Sequence, residues 1–290
     1  MPSDLQGDDA RRDRLAKALR PDEDGLPRLM GILNATPDSF HADSRVLGDV
    51  AVERGLAMFE SGATWVDVGG ESTRPGADSV SLEEEQARVL PVIQRLKAAR
   101  PEGLVSIDTR HAVVAKAALE AGADMVNDVS GLRDPAMMDV VVEAGAAVCI
   151  MHMQGVPETM QDNVHYDEVV SEVHSTLWST ATTLTDHGHP AALICLDPGI
   201  GFGKSQHHNL ALLEQGEALS EKGRWAVLWG VSRKSVVGHL TGQSKTEDRL
   251  AGTLGLAAVA CLRGVGVLRV HDVVPHWDLL QAMRPFDLRS

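Results

Sequence analysis

The candidate catalytic and ligand-binding residues of this chain lie at the ends of short apolar runs. This arrangement, an apolar run that ends in polar residues, recurs along the sequence. Each run resembles a buried strand, and each is followed by Gly, Asp, Asn, Ser or a cation rather than by an arbitrary polar segment. The groups that stand out are Asn34, Arg74, Asp108, Asn127, Met151, Asp197, Lys234, Arg269 and His271. If the runs are neighbouring parallel strands, their carboxyl ends bring these side chains to one mouth.

Three cations in this set, Arg74, Lys234 and Arg269, indicate an anionic ligand. Ser, Thr, Asp and Asn at such positions also serve as helix N-caps, and that reading stays open for Thr109, Ser130 and Asp272. It does not apply to a cation, which opposes the helix dipole at an N-terminus. Arg74, Arg269 and His271 form a plausible oxyanion clamp, because guanidinium groups bind phosphate oxygens in pairs. The mouth is therefore expected to favour a multiply charged group such as a pyrophosphate.

Asp108, Asn127 and Asp197 form a second set of opposite character. Carboxylates and an amide on neighbouring strands suit a flat, nitrogen-rich heterocycle that donates N–H groups. A phosphate site beside a heterocycle site indicates a nucleotide-like or pterin-like substrate.

Neither a complete phosphate-binding loop nor a zinc-binding histidine motif is present in the sequence. The segment PGIGFGKS resembles a phosphate-binding P-loop, but Pro198 occupies the position of the first glycine. The twelve histidines include no H-E-x-x-H pattern. His207-His208 is predicted to start a solvated helix, and His152 to be a satisfied core histidine.

The elements that would position these residues alternate strictly. Helical segments with apolar residues at i, i+3, i+4 and i+7 separate the apolar runs, and Gly62, Gly122, Gly145 and Gly264 mark helix ends. Eight such units in about 250 residues predict an α/β protein, a single-domain (β/α)8 TIM barrel. An open doubly wound sheet is the alternative. The eight runs cover residues 28–33, 64–69, 104–108, 124–128, 146–152, 192–197, 225–230 and 266–272.

Composition excludes several function classes. The net charge of −14 argues against a nucleic-acid partner, which would need a basic footprint. No stretch is long and apolar enough to cross a membrane, and the charged N-terminus is unlike a secretory signal. Cys149, Cys195 and Cys261 lie in apolar runs and are expected to be buried thiols, which favours a cytoplasmic protein. Residues 1–25 are predicted to be a polar leader with a short helix around residues 11–19, and residues 26–290 the barrel.

Eight segments, taken together, resemble one family. The sequences GILNATPDSF, VDVGGESTRPGA, SIDT, NDVSG, MHMQG, DPGIGFGK, GVSRKS and RVHDV are similar to the successive signatures of dihydropteroate synthases. They occur in family order, one at each strand end, and cover the chain from Gly31 to Asp272. The resemblance implies condensation of 6-hydroxymethyl-7,8-dihydropterin pyrophosphate with 4-aminobenzoate, giving 7,8-dihydropteroate and pyrophosphate in folate biosynthesis.

The resemblance also implies residue roles. Arg74, Lys234, Arg269 and His271 would be catalytic. The pterin would be held by Asp108, Asn127, Met151, Asp197 and Lys234, and the pyrophosphate by Asn34, Arg74, Arg269 and His271. The 4-aminobenzoate pocket would be lined by Ser39, Phe40, Thr73, Pro75, Phe202 and Ser235.

The family mechanism is SN1-like, with Mg²⁺ as cofactor and Asn34 among its ligands. The first loop departs from the family pattern Ser-Phe-Ser-Asp-Gly-Gly, since it reads Ser39-Phe40-His41-Ala42-Asp43-Ser44. Without the glycines the loop loses easy access to positive φ, so its closed form is expected to differ.

Two other functions remain open. A methylfolate-dependent corrinoid methyltransferase domain would share the Asp-Asn-Asp set but would not need the clamp. A non-catalytic pterin-binding paralogue is motivated by the altered first loop. The family resemblance further implies small-molecule partners and a homodimer through the last helices, and the apolar stretch from Leu254 to Val267 is compatible with that.

Overall fold

Eight parallel strands close into a barrel in the computed structural model of the chain, which describes residues 2–36, 44–71, 80–157 and 159–286. Each strand pairs with the next, and β1 pairs with β8, so the open-sheet alternative is wrong and the (β/α)8 TIM barrel is confirmed. The strands are β1 (Arg28–Asn34), β2 (Trp65–Gly69), β3 (Leu104–Asp108), β4 (Met125–Asp128), β5 (Ala147–Met151), β6 (Ile194–Asp197), β7 (Ala226–Trp229) and β8 (Val267–Val270).

Helices follow the strands on the outside of the barrel. The predicted glycines at helix ends are confirmed, because Gly62, Gly122, Gly145 and Gly264 all have positive φ. The helices are α1 (Pro2–Ala18), α2 (Ser44–Glu60), α3 (Leu82–Ala99), α4 (Ala112–Glu120), α5 (Met137–Ala144), α6 (Val169–Asp186), α7 (Gln206–Glu214), α8 (Ser235–Thr241), α9 (Leu250–Leu262) and α10 (Val273–Met283).

Successive residues of each strand face two different apolar layers. In β2, Val66 and Val68 belong to the layer between strands and helices, whereas Trp65 belongs to the cluster inside the barrel. Both faces are buried, which explains why the strands read as continuous apolar runs. Polar residues on the inward face, near the carboxyl ends, are therefore held in a largely dry interior.

The N-terminal helix seals the opposite end of the barrel. Leu15 and Leu19 are fully buried in the inner cluster together with Met30 and Trp65. The indole Nε1 of Trp65 donates a 2.9 Å hydrogen bond to the carbonyl of Ala18. The predicted polar leader thus contains a longer helix than residues 11–19, and two of its leucines complete the core.

Two expectations from composition concern the cysteines and the apolar segments. Cys149, Cys195 and Cys261 are buried and free. Within the described ranges, no helix combines the length and apolarity that a membrane span requires.

Candidate active site

The carboxyl ends of β1 to β4 bring acceptor groups together. Asn34 is the register partner of Gly69, Gly69 of Asp108, and Asp108 of Asn127. Gly69 keeps the space between them open. A Cβ atom at this position would lie 3.6 Å from Asp108 Oδ2 and 3.8 Å from Asn34 Oδ1. Two predicted ligand residues, Asn34 and Asp108, therefore flank Gly69, and a third, Asn127, is paired with Asp108.

Arg269 crosses the barrel to two carboxylates. Its Nε donates to Asp67 Oδ2 at 2.6 Å, and its Nη2 donates to Asp108 Oδ2 at 2.6 Å. Asn127 Nδ2 donates to the same Asp67 oxygen at 3.0 Å. Predicted members of the pterin set and of the clamp thus form one network, joined through Asp67, which the sequence reasoning did not select.

The charged groups of this network shift one another's pKa values. Burial raises the pKa of Asp108 to about 7; Arg269 opposes this shift and the nearby Asp67 carboxylate adds to it. Burial would lower the pKa of Arg269, but Asp67 and Asp108 together raise it. The guanidinium therefore stays charged, while Asp108 can change its protonation state near neutral pH.

Asp197 and Lys234 form the matching pair on the other side of the mouth. Asp197 Oδ1 accepts a 2.7 Å hydrogen bond from the Gly199 amide, and Lys234 Nζ donates to the Ile200 carbonyl at 2.6 Å. A Cβ atom at Gly230 would lie 3.7 Å from both Asp197 Oδ2 and Lys234 Nζ. Burial raises the pKa of Asp197, an effect that Lys234 opposes. Burial also lowers the pKa of Lys234 to about 8, although Asp197 acts against it.

An apolar wall adjoins the Lys234 ammonium. Its nitrogen lies 4.4 Å from the centroid of the Phe202 ring, a cation–π arrangement. Phe202 in turn packs on a small cluster that contains Met151. This wall can pack against a flat aromatic group, because aromatic rings and methionine thioethers both make favourable contacts with an aromatic ring. The other cluster members are Val129, Met153 and Met160.

Lys204 is a second buried cation that the sequence reasoning did not assign. Its Nζ donates to the carbonyls of His152, Gly199 and Phe202 at 3.0–3.1 Å and lies 3.1 Å from His152 Nδ1. Burial lowers the pKa of Lys204 to about 7 and that of His152 to about 3. His152 is thus hydrogen-bonded, as predicted, but it is partly buried rather than a core residue. Lys204 ties the loop after β6 to the end of β5.

The loop after β7 is fixed to the loop after β8. Arg233 adopts a left-handed conformation with φ 57° and forms a two-pronged ion pair with Asp272, at 2.5 and 2.7 Å. Ser232 Oγ accepts from the backbone amide of His271 and lies 3.0 Å from its Nδ1. Lys234 follows Arg233 as the N-cap of α8, and Ser235 begins α8 as an exposed residue. Asp272 therefore acts through an ion pair rather than as a side-chain cap.

The structure describes most of the predicted site and brings that part together. Asn34, Asp108, Asn127, Met151, Asp197, Phe202, Lys234, Ser235, Arg269 and His271 all lie at the carboxyl-terminal mouth of the barrel. The predictions for Ser39, Phe40, Thr73, Arg74 and Pro75 fall outside the described residues.

The described residues offer few side chains that could bind the predicted Mg²⁺ ion. Among the described residues, no cluster of three or more His, Cys, Asp or Glu side chains could hold a metal ion. Mg²⁺ does not require one, since it keeps several waters and binds through one or two protein oxygens plus substrate phosphates. The amide oxygen of Asn34, beside Gly69, is a donor of that kind.

Comparison with known proteins agrees with this geometry. The family model described as "Pterin binding enzyme" matches residues 30–271. Dihydropteroate synthase of Escherichia coli (strain K12) is 41% identical over 262 residues, which cover 89% of this chain and 90% of that protein.

Solved structures are similar over the same extent. Xanthomonas albilineans dihydropteroate synthase with 4-aminobenzoic acid superposes with a TM-score of 0.83 at 44% identity, covering 90% of this chain and 93% of that one. The enzyme from the same organism in complex with 7,8-dihydropteroate gives a TM-score of 0.80 at 40% identity, with coverage of 90% and 93%. The chain therefore belongs to the pterin binding enzyme family, and within it to the dihydropteroate synthases.

Proposed function

We propose that this protein condenses 6-hydroxymethyl-7,8-dihydropterin pyrophosphate with 4-aminobenzoate to give 7,8-dihydropteroate and pyrophosphate. The observation that carries the proposal is the convergence of Asp108, Asn127, Asp197 and Lys234 with Arg269 at one barrel mouth. Hydrogen-bond acceptors for a heterocycle and cations for a leaving group thus lie at the same barrel mouth, as this reaction requires.

The pterin ring would lie against the acceptors. Asp108 Oδ1 has no hydrogen bond to any described residue, and Asp197 keeps Oδ2 near the space beside Gly230. These oxygens can accept from the N–H and NH₂ groups of a pterin. Lys234, whose pKa is lowered to about 8, can donate to a ring nitrogen or carbonyl oxygen. Met151 would support the face of the ring.

Departure of the pyrophosphate would be the first chemical event, as in an SN1-like reaction. The C–O bond at the pterin methylene breaks, and the electron pair leaves with the pyrophosphate. Arg269 retains Nη1 for this anion, because its other two nitrogens are bound to carboxylates. His271 and Arg74 would complete the clamp, and Asn34 would hold Mg²⁺, which supplies positive charge to the leaving group.

The aromatic amine would then attack the pterin methylene. Its nitrogen forms the new N–C bond and releases one proton to solvent. Phe202 would form the wall against the benzoate ring, and Ser235 would lie near its carboxylate. Asp108 and Asp197 offset the positive charge on the pterin between the two steps. The pocket would be completed by Ser39, Phe40, Thr73 and Pro75.

Paired substitutions test the assignment of the two subsites. We expect Phe202→Ala to raise the KM for 4-aminobenzoate about tenfold, because it removes most of a ring contact, with little change for the pterin pyrophosphate. Asp197→Asn should do the reverse. Phe286→Ala is the matched control, since this phenylalanine is 67% exposed. Equal effects of both substitutions on both substrates would contradict the division.

We also propose a homodimer. Exposed apolar side chains occur on the last two helices, which contact each other, with Val259 and Leu262 on α9 and Val274 and Trp277 on α10. Burial of such side chains against a second copy would support the dimer. Light scattering of the purified protein should give twice the chain mass of 31.1 kDa, and a charged substitution at Leu262 should lower it.

A further inference from the structure

Asp67 is a charged residue in the interior of an apolar strand. It lies on the inward face of β2, two residues before the strand ends, and has no exposed surface. Its neighbours in register are Ile32 and Ser106, neither of which carries a charge. A buried carboxylate is costly unless it is paired and hydrogen-bonded, so its retention at this depth calls for a role.

The contacts of Asp67 reach across the barrel. One oxygen, Oδ2, accepts from both Arg269 Nε at 2.6 Å and Asn127 Nδ2 at 3.0 Å. Asn127 is on β4 and Arg269 on β8, and neither strand is adjacent to β2. These bonds therefore add nothing to the sheet ladder. They fix the side chains that the proposed function assigns to the pterin and to the leaving group.

The bond from Asn127 sets the orientation of its amide. A carboxylate accepts hydrogen bonds and donates none, so the NH₂ end of Asn127 must face Asp67. The carbonyl oxygen Oδ1 is thereby directed elsewhere and remains an acceptor. If Asp67 were replaced by a group that donates as well as accepts, the Asn127 amide could adopt either orientation.

The bond from Arg269 divides a guanidinium between two carboxylates. With Nε on Asp67, only Nη2 binds Asp108, and it binds through Oδ2 alone. Without Asp67, the guanidinium could form the two-pronged pair with Asp108 that arginine favours. Both Asp108 oxygens would then be occupied. Asp67 thus keeps Asp108 Oδ1 available.

We propose that Asp67 is a positioning residue for pterin recognition, which fixes Asn127 and Arg269 so that two oxygens, Asn127 Oδ1 and Asp108 Oδ1, accept from the ring N–H groups. This inference rests on the proposed function and deepens it. It assigns selectivity for a donor-rich heterocycle to a side chain that does not itself touch the ring.

Asp67→Asn and Asp67→Glu test the proposal, with Ser106→Ala as the matched control. Ser106 is the register partner of Asp67, and its hydroxyl is buried without a hydrogen-bond partner among the described residues. Calorimetry would measure the Kd of the pterin pyrophosphate with Mg²⁺ and without 4-aminobenzoate. Steady-state kinetics would measure the KM for 4-aminobenzoate, and circular dichroism would establish folding.

We expect both Asp67 variants to fold and to bind the pterin pyrophosphate at least about tenfold more weakly, which corresponds to about 1.4 kcal/mol. The KM for 4-aminobenzoate should change less than about twofold, the spread allowed to Ser106→Ala in both measurements. Wild-type affinity in Asp67→Asn, equal weakening for both substrates, or an unfolded variant would each overturn the role. Failure of the wild-type protein itself to bind the pterin would overturn the proposed function instead, so the two failures are distinguishable.

Discussion

Replacing Arg269 by methionine would remove the only cation that contacts both Asp67 and Asp108 among the described residues. The Asp67 side chain is fully buried, and that of Asp108 is 10% exposed. The substitution keeps most of the side-chain volume but leaves two interior carboxylates without their counter-ion. Viewed only as a mouth residue, Arg269 is expected to be dispensable for folding; the ion pairs indicate the opposite.

The magnitude follows from the burial of the pair. Removing one partner of a buried ion pair costs about 3–5 kcal/mol, and we expect a loss of this size in the free energy of unfolding at pH 8. The loss should depend on pH. Burial holds the pKa of folded Asp108 at about 7, whereas an unfolded aspartate titrates near about 4. The folded chain therefore binds this proton more tightly, and Asp108 lowers stability as the pH rises from about 4 to about 7.

Without Arg269 the pKa of Asp108 rises further, so this destabilisation extends above pH 7. Wild-type Asp108 itself titrates within this range, so the difference between wild type and Arg269→Met should shrink by up to about 1.4 kcal/mol between pH 8 and pH 6. Urea unfolding followed by circular dichroism at several pH values measures it. Arg284→Met is the control, because Arg284 also pairs with two aspartates, Asp22 and Asp24, but is 39% exposed, and such surface pairs contribute about 0–1 kcal/mol. A loss for Arg269→Met no larger than the control, or one that is independent of pH, would refute the reasoning.

Three further predictions follow from the same geometry. Lys204→Met should destabilise the protein by about 1–3 kcal/mol, because it leaves buried carbonyls unsatisfied, and it should raise the KM for 4-aminobenzoate. Lys116→Met, at an exposed position of α4, should do neither. An unchanged KM in Lys204→Met would show that Lys204 does not position the loop that carries Phe202. Leu19→Ala should cost about 2–5 kcal/mol without altering either KM, since it lies at the closed end of the barrel. Leu240→Ala is the control, because Leu240 is 49% exposed. The kcat/KM for the pterin pyrophosphate should rise as Asp108 ionises near pH 7 and fall as Lys234 loses its proton near pH 8; a flat profile from pH 6 to pH 9 would contradict both assignments.

The barrel could be predicted because its strands are buried on both faces. All eight continuous apolar runs became strands, with ends within a few residues of the predicted ones. The glycines at helix ends were equally informative, because glycine adopts positive φ without the steric cost that other residues incur. The apolar pattern and the residues at the turns indicate the same elements along this chain, and a fold can be predicted from sequence when such signals agree.

The inner layer of the site was harder to predict. Sequence reasoning selected polar residues after strand ends, whereas Asp67 lies within a strand, below the mouth. The available signal was a lone aspartate in the apolar run TWVDVG, which requires a buried partner. That partner, Arg269, is 202 residues away along the chain, and only the closed barrel brings the two together.

Lys204 was missed for a different reason. Its segment resembles a phosphate-binding loop only in part, and its ammonium binds backbone carbonyls, a role that the spacing of the glycines does not indicate. The role of Leu15 and Leu19 was also difficult to predict, because residues 1–25 are rich in charged residues and these two leucines are four residues apart within them.

A pyrophosphate-release assay tests the central claim most directly. Purified protein would be given the pterin pyrophosphate and Mg²⁺, with and without 4-aminobenzoate. We predict release that depends on 4-aminobenzoate and yields 7,8-dihydropteroate in equal amount. Pterin binding without any release would contradict the synthase assignment, favour the non-catalytic pterin-binding paralogue, and make His41 to Ser44 the first segment to restore to the family pattern.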